Sequence, residues 1–195
     1  MDKLLQKITD CRVCEPFLTH GCRPIVQASE KSKIIIIGQA PGAIVHNTGI
    51  AWDDASGENL RQWMNIDSNT FYDPQKIALV PMGFCYPGKG KSGDLPPRKE
   101  CAPLWHRSIF KACKELELVV LVGKHAQDYY LKEKAKNTLT ETVRSFEEYL
   151  PQFFVLPHPS PRNNIWQAKN EWFKKDVTPV LQKSVRKILE SSRES

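Results

Sequence analysis

Long hydrophobic runs are missing from this chain. Its apolar stretches are of the length of Ile34–Ile37 and Leu118–Val122, against the ~20 residues that a bilayer-spanning helix requires, so no membrane span is expected. An apolar signal core is missing as well: the chain opens Met1-Asp2-Lys3-Leu4, and the expected address is the cytoplasm. No internal repeat and no low-complexity tract is present, which sets aside repeat arrays and disordered tails. What the chain does have is enough apolar material for a core, with 41% hydrophobic residues and five Trp in 195 residues. At ~150 residues per domain this reads as a single domain spanning 1–195, large enough to fold without disulfides. Twenty-eight Lys and Arg against 22 Asp and Glu leave a net charge of +6 and a pI near 9.0, a balance that favours a polyanionic partner. Part of that excess is the Lys-rich C-terminal segment, which reads as a solvated helix face.

Strands and helices alternate along the sequence. Residues 2–9 read as a helix. The β-branched run Lys33–Ile37 reads as a fully buried strand, ended by Gly38. A Gly/Pro loop then runs to Gly57, where Ser56 or the pair Asp53 and Asp54 caps a helix over about Glu58–Ile66. A second strand, Ile77–Val80, empties into a long polar loop, Met82–Glu100. Ala102–Leu116 reads as a helix with Leu104, Ile109, Phe110 and Cys113 on one side. The third strand is Leu118–Val122, followed by a helix near His125–Lys132, and the fourth is Phe153–Leu156. Residues 133–150 carry no clear pattern, and a helical stretch with Pro179 near its start closes the chain. This alternation predicts an α/β fold, three-layered α/β/α around a four-stranded parallel sheet. Each unusual loop follows a strand, so parallel topology gathers them at one carboxyl edge, where open α/β sheets bind ligands.

Three groups of residues at or near that edge have the chemistry of a site. Cys11 and Cys14 form a C-x2-C pair, and Cys85 and Cys101 bracket the loop after the second strand. In a reducing compartment metal binding outweighs disulfides. Four thiolates suit either zinc or a four-iron cluster, and spacing does not choose between them. Cys22 and Cys113 lack such pairing and read as small buried hydrophobes. Gly38-Gln39-Ala40-Pro41-Gly42 is a backbone loop able to approach a ligand closely, without the Lys-Ser/Thr of a P-loop or the spacing of a dinucleotide fingerprint. His158-Pro159-Ser160-Pro161-Arg162-Asn163 puts an imidazole, a hydroxyl and a cation in one proline-stiffened loop, suited to holding a phosphate backbone beside a leaving group.

These residues resemble the motifs of the uracil-DNA glycosylase superfamily over nearly the whole chain. The first loop is similar to its first motif, and His158–Asn163 to its second, in the form found in single-strand-selective monofunctional uracil glycosylases. Thr48-Gly49-Ile50-Ala51-Trp52 and Asp54-Ala55-Ser56-Gly57 resemble the corresponding stretch of the family 4 and family 5 enzymes, whose cluster-ligand positions are matched by Cys11, Cys14, Cys85 and Cys101. The resemblance implies a monofunctional DNA glycosylase of base excision repair. It would hydrolyse the N-glycosidic bond of uracil or a related deaminated base, acting as a monomer on single- or double-stranded DNA with the base flipped out. It implies a 4Fe-4S cluster, with zinc the alternative at the same thiols.

His158 would stabilise the anion on the departing base, and Asp54 or Asp53 would orient water. Gly38, Gln39, Ala40 and Trp52 would bind the base; Pro41, Gly42, Pro159, Ser160, Arg162 and Asn163 would bind DNA. Lys89, Lys91, Arg98 and Lys99 would lie on the same edge. The chain departs from the family at Ala40, where the best-known members have a water-activating Asp, and at Pro81, where relatives have a base-reading Asn. Hypoxanthine and xanthine are therefore open beside uracil. A slow or non-catalytic binder of damaged or abasic DNA is the alternative within this fold. A metal-bearing redox or structural module is the alternative outside it.

Overall fold

A computed structural model describes residues 1–191. The elements in chain order begin with α1 (Asp2–Thr9), β1 (Ile34–Ile37), α2 (Ala43–Thr48), α3 (Ala55–Met64), α4 (Ser68–Phe71) and β2 (Ile77–Leu79). A small hairpin, β3 (Lys89–Gly90) and β4 (Gly93–Asp94), comes next. Then follow α5 (Arg107–Ala112), β5 (Leu118–Val122), α6 (Lys124–Leu131), α7 (Leu139–Arg144), β6 (Phe153–Leu156), α8 (Asn164–Lys169) and α9 (Thr178–Glu190).

The predicted sheet is present: four strands in the order β2-β1-β5-β6, every pair parallel. Ile34 lies opposite Ile77 on one side and Leu118 on the other, and Val119 opposite Phe153. Both strand faces are covered, which is why β1 is four isoleucines without alternation and every residue of it is buried. Helices flank the sheet. α3 packs on α9, α6 on β5, and α7 on β6, with Trp63 and Phe173 meeting edge to face at 4.8 Å. None of the described helices is long and apolar enough to cross a membrane.

Several boundaries differ from the sequence reading. The loop after β1 contains α2, whose six residues between Gly42 and left-handed Gly49 are too few for a periodic signal. The segment Ala102–Leu116 is not one helix. It starts as a wide π-type turn, Ala102–His106, and α5 ends at Ala112, because Cys113 turns extended and the Lys114 amide bonds the Glu30 carbonyl. Leu104 is consequently exposed, while Ile109 and Cys113 remain buried. The stretch Met82–Glu100 is a polar loop only in its second half. Met82–Gly88 is buried, and the chain emerges as the β3–β4 hairpin. The featureless 133–150 region holds α7, started by a capping box between Thr138 and Glu141.

Candidate active site and cysteine cavity

A cavity of about 480 Å³ opens at the carboxyl edge of the sheet, within the size range of small-molecule and base pockets. Its floor is the loop after β1, Gly38 to Gly42, and one wall carries Trp52 and Asp54 while another carries His158, Ser160, Arg162 and Asn163. The sequence motifs thus meet in one place.

Local structure explains how each side chain is held. Asp54 is the N-cap of α3: its Oδ1 accepts the Gly57 N–H at 2.9 Å, using one carboxylate oxygen for a helix end that needs an acceptor. Trp52 adopts a left-handed backbone with φ of 60°, uncommon for a bulky residue and a sign of local strain. The strained turn lays the indole over Gly38, where a Cβ would come within 2.5 Å of the ring, and sets its carbonyl where a Gly57 side chain would stand. Those two glycines are there for Trp52.

The His158 ring lies 6.0 Å from the Trp52 ring, tilted by 31°. Its Nδ1 accepts the Ser160 backbone N–H at 3.2 Å, so the neutral ring carries its proton on Nε2 and can donate it. Burial holds the imidazole below its usual 6.5, opposed by the nearby charge of Asp54. The loop around it is braced twice. Asn163 donates to the His158 carbonyl at 2.6 Å, and Asn59 of α3 donates to the Pro159 carbonyl at 2.8 Å.

The two aspartates separate cleanly. Asp54 lines the cavity; Asp53 is exposed and does not. Pro159 is buried behind the cavity rather than lining it. Arg98 is not on this edge: it is engaged with Glu100 and lines a different cavity. Pro81 does line the pocket. Its carbonyl accepts from His106 Nε2 at 3.0 Å, and the other ring nitrogen of His106 takes the Tyr130 hydroxyl. Burial depresses His106 to about 4, so a neutral imidazole fixes the end of β2 from below.

Sequence reasoning missed His106, Asn59 and, above all, the hairpin. Ser92, Gly93, Asp94 and Leu95 form the outer wall of the cavity. Arg162 reaches across to the Ser92 carbonyl at 3.4 Å. Asp94 abuts Gly42, where a Cβ would lie 3.3 Å from its carboxylate. The two-residue turn between Gly90 and Gly93 was the available signal, but strands this short have no alternation to support it.

A second, small cavity gathers Cys11, Cys14, Cys85 and Cys101 with Cys22, Arg98 and Trp105. Cys22, read from sequence as a bystander, is among them; Cys113 is elsewhere, in the main core. All six cysteines are free. Burial pushes Cys85 up to about 12 and Cys101 to about 11, so a bound cation would be needed to ionise them at neutral pH. The Phe84 N–H points at Cys101 Sγ at 3.4 Å. Among the described residues no three His, Cys, Asp or Glu side chains converge as a single ion would require.

A solution NMR structure of a candidate uracil DNA glycosylase from Methanosarcina acetivorans aligns with a TM-score of 0.47 at 14% identity, over 82% of this chain and 94% of that one. The family model described as the uracil DNA glycosylase superfamily matches residues 26–182. That span takes in both motif loops, the Trp52–Asp54 turn and the whole sheet, and the chain therefore belongs to the uracil DNA glycosylase superfamily.

Proposed function

We propose that this protein is a monofunctional DNA glycosylase that hydrolyses the N-glycosidic bond of uracil or a related deaminated base. The observation that carries this reading is the placement of Asp54 and His158 in one cavity beside the Trp52 ring. Cleavage of this bond leaves an anionic base and a cationic sugar, so a site needs a donor for the base and a carboxylate for the sugar side. His158 Nε2–H is the donor, a contribution of about 3 kcal/mol for one well-placed group. Asp54 orients the attacking water and favours the oxocarbenium-like sugar. Trp52 supplies the stacking surface that a flipped base requires. Among the described residues lining the cavity there is no lysine, in keeping with attack by water rather than by an amine. Ser160, Arg162 and the hairpin lysines, Lys89 and Lys91, make the phosphate-holding rim.

We propose that Cys11, Cys14, Cys85 and Cys101, which line one cavity, would hold a 4Fe-4S cluster. Zinc is the alternative at the same four thiols, which suit either group, and metal analysis of the purified protein separates the two. The group would tie the N-terminal segment to the loop after β2.

The test is a base panel. Single- and double-stranded oligonucleotides with uracil, hypoxanthine or xanthine are incubated with purified protein, then treated with alkali. Breaks at the lesion are expected, at a rate reduced about 10²–10³-fold in His158→Ala and at least 10²-fold in Asp54→Asn. Because His158 acts neutral and titrates below 6.5, the rate should hold down to that pH and fall only beneath it. No break at any lesion sinks the proposal. One observation favours a second reading, a slow binder of damaged DNA: Asp54 is already engaged as a helix cap. That reading requires lesion-dependent binding, without cleavage, that survives substitution of both Asp54 and His158.

A further inference from the structure

We propose that the β3–β4 hairpin is a positioning element for Arg162: the Ser92 carbonyl holds the guanidinium at the mouth of the sheet-edge cavity, and Gly93 is the residue that leaves room for it. This rests on the glycosylase reading above, in which Arg162 meets DNA. The contact itself is in the structure. Arg162 Nη1 donates to the Ser92 carbonyl at 3.4 Å, and both residues line the cavity. A Cβ built on Gly93 would stand 2.8 Å from the same Nη1, and Gly93 has a φ of 141°, a backbone that residues with side chains rarely adopt. The turn and the arginine therefore require glycine at the same place.

Both sides of this bridge are anchored. At the root of the arginine, the Ser160 hydroxyl accepts the Arg162 backbone N–H at 3.3 Å, and the Asn163 N–H bonds the Ser160 carbonyl at 2.8 Å. On the hairpin, the Leu95 N–H bonds the Gly88 carbonyl at 2.9 Å, and the Leu95 side chain lies against Gly90, where a Cβ would be 3.2 Å from it. Asp94 lies beside the buried Tyr86, whose hydroxyl is raised by burial first and by the Asp94 charge second. The arginine is thus held at its root and at its tip. A side chain ordered before it meets a phosphate loses less rotamer freedom on binding. Ser92 engages one nitrogen, and none of the salt bridges among the described residues uses Arg162. The rest of the planar fork is left for an anion, which a guanidinium binds through charge-assisted, often paired bonds. A contact at the long end of the hydrogen-bond range is enough to orient the group without competing with such bonds.

The experiment begins with the full chain free of DNA. The ¹⁵N-labelled Arg162 side chain, assigned by the loss of its signal in Arg162→Lys, should relax as an ordered group in the wild type and as a mobile one in Gly93→Ala. Affinity is then measured by fluorescence anisotropy, at several salt concentrations, for a single-stranded oligonucleotide carrying one tetrahydrofuran abasic-site analogue. Gly93→Ala should bind about 3–10-fold more weakly, the cost of ordering one side chain. Arg162→Ala should bind more weakly still, with a salt slope smaller by about one, and the double variant should match Arg162→Ala alone. Additive losses overturn the proposal, because the hairpin then acts on DNA without Arg162. A mobile Arg162 in the free wild type overturns it and leaves the glycosylase reading standing. An ordered Arg162 in a wild type that binds no DNA sinks that reading, and this inference with it. Should Gly93→Ala fail to fold, wild-type relaxation and the Arg162→Ala slope decide: an ordered side chain with a reduced slope supports the proposal, and a mobile side chain or an unchanged slope overturns it.

Discussion

His106 has the largest histidine shift in the molecule, and it does not line the cavity at the sheet edge. It stands between Tyr130 and the Pro81 carbonyl, stacked on Phe84 at 5.7 Å. Burial lowers its affinity for a proton from 6.5 to about 4. In the unfolded chain the ring takes up a proton near 6.5, so below that pH the unfolded state binds more protons than the folded one. Stability is then full above pH 6.5 and lost progressively down to about pH 4, by about 3 kcal/mol from this residue alone. Denaturant titrations at pH 7.5 and 4.5 should find that loss in the wild type and a flatter dependence in His106→Gln, whose amide can serve both partners without titrating. At the same scale, the sequence was informative where a motif named a residue and silent where geometry chose one. Asp53 and Asp54 are adjacent and chemically identical, and only the helix start at Ala55 sends one into the cavity and the other to solvent.

Among the elements, α3 has a part in the site that its composition does not announce. It begins at the cap Asp54 and, just over one turn on, Asn59 donates to the Pro159 carbonyl. One short helix therefore spaces the carboxylate from the imidazole loop. Asn59→Ala should cost only about 1 kcal/mol in stability, the net value of one hydrogen bond, yet lower kcat about 10-fold with little change in KM, because misplacement by a fraction of an ångström is felt mainly in the transition state. A thermal melt beside steady-state kinetics separates the two effects. The elements legible in the sequence were the long or strongly patterned ones: α1 and the four sheet strands emerge within a residue of their expected limits, and α9 starts beside Pro179 as expected. Those that were not, α2, the hairpin and α8, have two to six residues each, too few for periodicity, and are held by contacts with loops distant in sequence.

For the molecule as a whole, the apolar core around the sheet is supplemented by a small separate cluster of Cys14, Leu18 and Cys85 with Cys22 beside it. The N-terminal segment that carries Cys11, Cys14 and Cys22 has little regular structure beyond α1, and the cavity it shares with the loop after β2 is what a bound group would staple. Cys85→Ser should lose iron and sulfide. A cross-link closing the stretch of chain between Cys14 and Cys85 is worth about 4 kcal/mol, which at this size is about 8–16 °C in Tm, measurable by calorimetry on metal-loaded samples. The net charge of +6 resolves along the same lines. Arg98 stands at the thiol cavity, whereas Arg162 reaches over the cleft to the hairpin.

Cys85 and Cys101 lie on either side of that hairpin, and both belong to one cavity. If the proposed cluster occupies these cysteines, the outer wall of the cavity would be a closed ring of chain with that group as its clasp. With the clasp open, the ends are freed and the wall regains the conformational freedom of a long surface loop. On the proposed function with its cluster, iron supply as well as expression would set how much of this polypeptide keeps that wall in place, so glycosylase activity measured against iron content should rise with it.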